Sequence, residues 1–274
     1  MRTVTLILSL MLCSFYHSYA QGLIVTYEET VVSSVSSPDL SQITNPQIRA
    51  AIENNVRERN MNRERSRSSQ LLVNNGISIY KAGEFAQQES EKMTGSEGNT
   101  NMNGTITRQF SSLTPHTVYK NHSDKQILSQ ANFEEKEYLI EAPLTEYNWK
   151  IGKRKKEISG FQCIEATAKM SNGSPITAWY TPDIPASDGP SSYWGLPGLI
   201  LYLDINDGAR VFSCTSIEQV NSMAAIDAPS SGEKISKAQF DKMVADFMQR
   251  LQDNNRVERG ENSTRINSSR VIIK

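Results

Sequence analysis

Beyond its first twenty residues this 274-residue chain carries two cysteines, Cys163 and Cys214, and two histidines, His116 and His122. Cysteine catalysis would need one of those thiols as an exposed, electropositive thiolate beside a histidine. Neither histidine belongs to a recognised metal-ligand spacing, and no cysteine lies near them in sequence, so both read as loop or turn residues. No Gly-x-Ser-x-Gly elbow, phosphate loop or dinucleotide fingerprint is present. Asp183, Asp188 and Asp204 are the remaining acids of interest, since two carboxylates across a cleft can hydrolyse a glycosidic bond if their environments separate their pKa values. Glu134, Glu135 and Asp207 read as solvated turn charges. The expectation is a protein with no catalytic, metal-binding or cofactor-binding residues, and acid-assisted hydrolysis as the least favoured activity.

Rings without acid–base machinery are more conspicuous: Trp149, Trp179, Tyr180, Tyr193 and Trp194. Trp149 and Trp179 suit core anchors, because large rings bury much apolar area in a thin β layer. Tyr193 and Trp194 sit among glycines and prolines. With Leu196 and Pro197 they form the candidate surface for an apolar or sugar-like ligand or an extended peptide.

The segments around those rings set the architecture. Thr177 to Thr181 reads as a strand, and Pro182, Pro185 and Pro190 then force the chain out of the sheet into a stiff loop. Gly195 and Gly198 bracket Leu196-Pro197, which suits a tight turn passing close to other backbone. Leu199, Leu201, Leu203 and Ile205 fall on one face of the next strand and Ile200 and Tyr202 on the other, as in a strand near the middle of a sheet.

The hexapeptide Gly195-Leu196-Pro197-Gly198-Leu199-Ile200 resembles the motif that names the GLPGLI family of Gram-negative envelope proteins. Trp149-Lys150-Ile151, Gly160-Phe161-Gln162-Cys163 with Ala166-Thr167, Ala178-Trp179-Tyr180-Thr181, Ile184-Pro185 and Gly189-Pro190 are similar to the family's other motifs in order and spacing. The resemblance runs from about residue 149 to 205. It implies a fold neighbourhood and an envelope setting; the family's function is unassigned, so no site residue is carried over.

Turn signals divide the rest. Gly22 to Val32 reads as the opening strand, and Leu71 to Tyr80 as strand interrupted by Asn74-Asn75-Gly76. Short strands follow near Thr105 to Phe110, Thr117 to Lys120, Gln126 to Ala131 and Glu137 to Glu141. Residues 153–156 are all basic and read as a charged hairpin tip or an edge strand. Hairpins are expected around Ser171-Asn172-Gly173 and Asn206-Asp207-Gly208. Ser236 and Gln239 fit a capping box, with Phe240, Met243, Val244, Phe247 and Leu251 at helical spacing behind them. The expected fold class is α+β: a curved antiparallel β-sheet, by analogy a half-open barrel, with a C-terminal helix packed on one face.

Residues 1–20 have the basic start, apolar run and small-residue end of a signal peptide. Residues 21–251 are expected to form a single β-rich domain. It would carry a charged helical insertion at about 46–69, where Arg49 to Arg67 alternate with glutamates, and a flexible loop at about 82–103; residues 252–274, a polar tail, would end in a short strand at Arg270 to Ile273. Removing Arg2 leaves 28 basic against 30 acidic residues, a balance that argues against a nucleic-acid partner. In an oxidising compartment Cys163 and Cys214 could form one bridge, with two separate buried thiols as the alternative. The expected product is an exported periplasmic or outer-membrane-peripheral protein, without a membrane span after signal removal. It would be a non-catalytic binding or carrier module for an apolar ligand or envelope protein partner, or else a structural component of an outer-membrane complex.

Overall fold

The computed structural model describes residues 22–32, 45–50, 53–54, 64–85, 115–250 and 253. The first strands are β1 (Gly22–Val32), β2 (Glu64–Asn74), β3 (Ile77–Ala82), β4 (Thr117–Asn121), β5 (Gln126–Phe133) and β6 (Lys136–Pro143). A second series comprises β7 (Lys150–Ile158), β8 (Phe161–Lys169), β9 (Pro175–Thr181), β10 (Leu199–Ile205), β11 (Arg210–Val220) and β12 (Glu233–Ser236). Among the described residues these form one twelve-stranded sheet, ordered β12-β6-β5-β4-β3-β2-β1-β11-β10-β9-β8-β7. Every neighbouring pair is antiparallel except β12, which runs parallel to β6. The sheet is open, with β12 and β7 as its edges.

Two up-and-down runs, β2 to β6 and β7 to β11, are joined by β1, which pairs with β2 on one side and β11 on the other. Turn chemistry explains most of the hairpins. Asn75 and Gly76 both take positive φ (49° and 75°), as a two-residue loop matching strand twist requires. Asn206 and Asp207 do the same at the β10–β11 turn, with φ of 57° and 52°. The β5–β6 turn reaches this geometry with Glu134 and Glu135 (φ 46° and 65°), the turn charges read from the sequence, although glutamate does not favour positive φ.

The main core draws on both runs: Tyr27, Leu71, Tyr80 and Val118 pack with Leu199, Leu201, Leu203 and Phe212. β10 therefore lies inside the sheet with apolar residues on both faces, as its sequence predicts. The C-terminal helix, residues 237–250, covers part of one face, setting Phe240 and Phe247 against Phe133, Tyr138 and Ile140. Its first turn is capped reciprocally: Gln239 N donates to Ser236 Oγ (3.3 Å) and Ser236 N to Gln239 Oε1 (3.1 Å).

The expected helical insertion is shorter than its sequence suggests. Residues 46–50 and 53–54 are helical, but residues 64–69 belong to β2 and pair with β1 from Val32↔Glu64 to Tyr27↔Ser69. Alternation decides this: Arg67, Ser69 and Leu71 are buried, and Arg67 finds a buried carboxylate on β1. The basic stretch after Trp149 is the edge strand β7, with a hairpin turn only at Ser159-Gly160. Residues 1–20, the 105–110 and 270–273 strands, Leu251, and nearly all of the 82–103 loop and the 252–274 tail lie outside the described residues.

Candidate functional site

The loop between β9 and β10 folds back on the sheet and is held at both ends. Leu199 N donates to Ile184 O (3.1 Å) and Ile200 N to Asp188 O (2.9 Å), so the proline-rich segment lies along the start of β10. Gly198, at φ 151°, passes so close to β9 that a Cβ would stand 2.0 Å from Thr181 O. A glycine at that position is therefore a steric requirement of the loop.

The loop's middle is pinned from β4. Lys120 Nζ contacts Asp188 Oδ1 (2.5 Å) and donates to Gly189 O (2.8 Å) and Ser191 O (2.9 Å), with both side chains of the ion pair out of solvent. Asp188 Oδ1 also accepts from Gly189 N (2.7 Å), and Oδ2 lies 3.0 Å from His122 Nε2. Burial would raise the Asp188 carboxyl, but the Lys120 ammonium and the bonds from His122 and Lys120 outweigh it and hold it below its ordinary value. Burial draws the Lys120 ammonium below its ordinary value against the pull of Asp188. Ser78 Oγ sits beside this carboxylate as a further favourable dipole, yet without hydrogen-bond geometry. His122 lies in the turn after β4, as its sequence predicts, and there it bonds Asp188 and meets the Trp194 ring edge-on at 5.0 Å.

Around this knot lies the ring cluster. Tyr147 stacks on Tyr193 (5.1 Å, 27°) and leans on Trp149 (5.6 Å), whose Nε1 donates to Trp194 O (2.8 Å). Trp194 Nε1 donates to Thr145 O (2.5 Å), tying the loop to the β6–β7 connection. This corrects the expected ligand surface. Tyr193 and Leu196 are buried, at 6% and 1% exposure, because they fill the space between the loop and the sheet. Trp194 is half-buried and Pro197 exposed, so the four residues do not present one open face.

A second buried network had no counterpart in the sequence reading. Glu29 on β1 is fully buried and bonds Arg67 twice (Nε–Oε2 2.8 Å, Nη2–Oε1 3.2 Å), Arg210 Nε (2.8 Å) and the Tyr80 hydroxyl (2.9 Å). Burial pushes its carboxyl up, but Arg210 and Arg67 prevail and hold it below its ordinary value. Arg210 Nη2 lies 2.6 Å from Glu29 Oε1 but off hydrogen-bond geometry, so the Nε contact orients that pair. The available signal was alternation, which places Glu29 in step with Val25 and Tyr27 on the inward register of β1.

The three acids of interest, Asp183 and Asp188 in the loop and Asp204 on β10, are engaged at different places. Asp188 is engaged by Lys120 and His122, Asp204 Oδ1 accepts from Gly208 N (2.6 Å) in the β10–β11 turn, and Asp183 N bonds Thr181 Oγ1 (3.3 Å) at the start of the loop. Cys163 and Cys214 are separate buried thiols and not the expected bridge. Burial raises each thiol to about 11, which suppresses the thiolate that oxidation or nucleophilic attack would use. His116 faces Glu137 at 3.6 Å, apart from His122. Among the described residues no group of three or more His, Cys, Asp or Glu is placed to hold a metal ion. No described helix is long and apolar enough to cross a membrane.

Chemically, the Lys120–Asp188–His122 arrangement is a clamp. The ammonium is spoken for by three oxygens, and the carboxylate accepts from two side chains and a backbone amide, so each charge is compensated where it is buried.

Residues 169–202, which run from the end of β8 through the β9–β10 loop into β10, match a family model described as a protein of unknown function (Porph_ging). No curated protein matches the chain. Among solved structures, PNGF-II in two crystal forms is similar at TM-score 0.47, with 15% and 14% identity, covering 82% of this chain. The chain spans 33% of the length of PNGF-II. An uncharacterized conserved protein from Thermus thermophilus is similar at TM-score 0.36 and 6% identity, over 80% of this chain and 93% of that one.

Proposed function

We propose that this protein is a non-catalytic component of the cell envelope, of the GLPGLI type, exported to the periplasm or the outer-membrane periphery, and that it acts by binding a protein partner. The observation that supports this reading best is the filled interior. Tyr27, Tyr80, Phe212, Leu199 and Leu201 are fully buried in one cluster that spans both halves of the sheet. A carrier of an apolar ligand needs a cavity of several hundred Å³ lined by such side chains. Here Tyr193, expected to line a groove, is stacked on Tyr147, Trp194 meets His122 edge-on, and the polar residues near them compensate each other. Among the described residues, cavities of that size are surface grooves, one of about 470 Å³ beside Leu144 and Ala238 and one of about 390 Å³ beside Arg67 and Thr215, which favours recognition through the outside of the sheet, its edges and its loops.

Co-purification of the tagged protein from envelope fractions after mild crosslinking tests this. The expected result is one partner recovered in constant ratio to the bait. Native mass spectrometry showing a lipid-like adduct on the isolated protein, with no partner recovered, would favour a carrier and overturn the proposal.

A further inference from the structure

β7 ends the sheet. It pairs with β8 alone among the described strands, so the backbone groups along its other side meet no other described strand. Its nine residues include Lys150, Lys153, Arg154, Lys155 and Lys156 against the single acid Glu157. Arg154 is neutralised in an ion pair with the buried Glu165. Among the described residues Lys150, Lys153, Lys155 and Lys156 form no ion pair, so the strand keeps a net positive charge.

The edge is irregular in one half and regular in the other. Between Ile151↔Ala166 and Lys155↔Ile164 the register shifts, and Gly152 to Arg154 bulge out opposite Glu165. From Lys155 to Ile158 the pairing with β8 runs unbroken. Charge decorates both faces there. Lys156 lies over the rings of Trp179 (4.4 Å) and Tyr202 (4.3 Å), which fixes one cation against the sheet, and the exposed Lys155 alternates to the opposite face.

Lysines on an edge strand oppose pairing with a second copy, since an antiparallel dimer would set like charges against each other. The same row attracts an extended segment of opposite sign, because the neighbours of Lys155 and Lys156 become opposite-charge pairs, with Glu157 as the one position that disfavours an acid opposite it. We propose that the Lys155–Ile158 edge of β7 accepts an acidic, extended segment of a partner protein as an added strand. This inference rests on the protein-binding reading above and names the surface and the partner's chemistry.

The probe is a fluorescein-labelled octapeptide alternating glutamate with valine, titrated by anisotropy against the intact protein. Two competitors separate backbone pairing from charge alone: the same peptide N-methylated at alternate residues, and binding to the Lys153→Glu/Lys155→Glu variant. Both are expected to bind at least tenfold more weakly, and hydrogen exchange at residues 155–158 is expected to slow when the parent peptide is bound. Circular dichroism and melting temperature check that the exposed-site variant is folded. Equal binding by the N-methylated peptide, protection elsewhere on the sheet, or a dimer of the protein alone sealed through β7 would each overturn the inference. A partner recovered from envelope fractions equally by wild type and by the Lys155→Glu variant would sink the edge assignment and leave the binding-module reading standing. Peptide binding at β7 with no envelope partner recovered would do the reverse.

Discussion

Lys120 Nζ and Asp188 Oδ1 meet 2.5 Å apart inside the protein, 68 positions apart in sequence, and fasten the loop before β10 to strand β4. Removing one member leaves the other as a buried, uncompensated charge. Lys120→Met and Asp188→Asn are each expected to lower stability by about 3–5 kcal/mol. The double variant should lose clearly less than the sum of the two. Urea unfolding of the four-member cycle measures this, and additive losses would mean the pair is not coupled.

Gly198→Ala tests the close passage of the loop. The added methyl would stand 2.0 Å from Thr181 O, with Pro182 Cα at 3.0 Å, so neither neighbour can yield without moving backbone. The expected outcome is a loss of several kcal/mol, or no folded protein on expression. Gly173→Ala is the control: a Cβ there meets nothing within 4 Å, so only the smaller strain of its φ of 87° remains.

Acid should unfold the protein through the buried carboxylates of Asp188 and Glu29. Asp188 and Glu29 are both held below their ordinary values in the fold. Each therefore contributes stability that is complete above the unfolded-state range of about pH 4 and is lost as pH falls through the lower folded-state values. Denaturation midpoints are expected to stay level from pH 7 to about pH 5 and to decline steeply below that. Asp188→Asn should lower the plateau and flatten part of the decline; an unchanged slope would show that Asp188 does not titrate in this window.

The thiols give a separate readout. With burial raising both to about 11, Cys163 and Cys214 should resist iodoacetamide at pH 7.5 in the native protein and react in urea. In the chain without residues 1–20, thiol titration after unfolding should find two groups without added reductant. Finding none would show that a bridge had formed.

Much of the fold is legible from local sequence. Asn75-Gly76, Asn172-Gly173 and Asn206-Asp207-Gly208 announce their hairpins because the backbone there needs residues that tolerate positive φ. Ser236 and Gln239 announce the helix for a similar reason, since capping acts over three residues. What escapes is whatever depends on partners far along the chain. The arginines of residues 64–69 look solvated until Glu29 is brought beside Arg67, and only the β1–β2 pairing does that. His122 and Asp188 carry no mutual signal, because β4 and the loop are neighbours only through the sheet. Tyr193 and Leu196 look exposed in a loop of prolines and glycines until that loop is seen folded flat on β10.

The place of β1 has a consequence for how the molecule assembles. Residues 22–32 are synthesised well before one of their two neighbours, residues 210–220, which arrives nearly 190 positions later. Each of the flanking hairpin series can form from contacts close in sequence, whereas the seam between them is a long-range closure, and such closures slow folding. Until it closes, one long side of β1 is an unsatisfied ribbon open to the wrong neighbour. A nascent chain would therefore spend its most vulnerable interval as two half-sheets awaiting the stitch that makes them one.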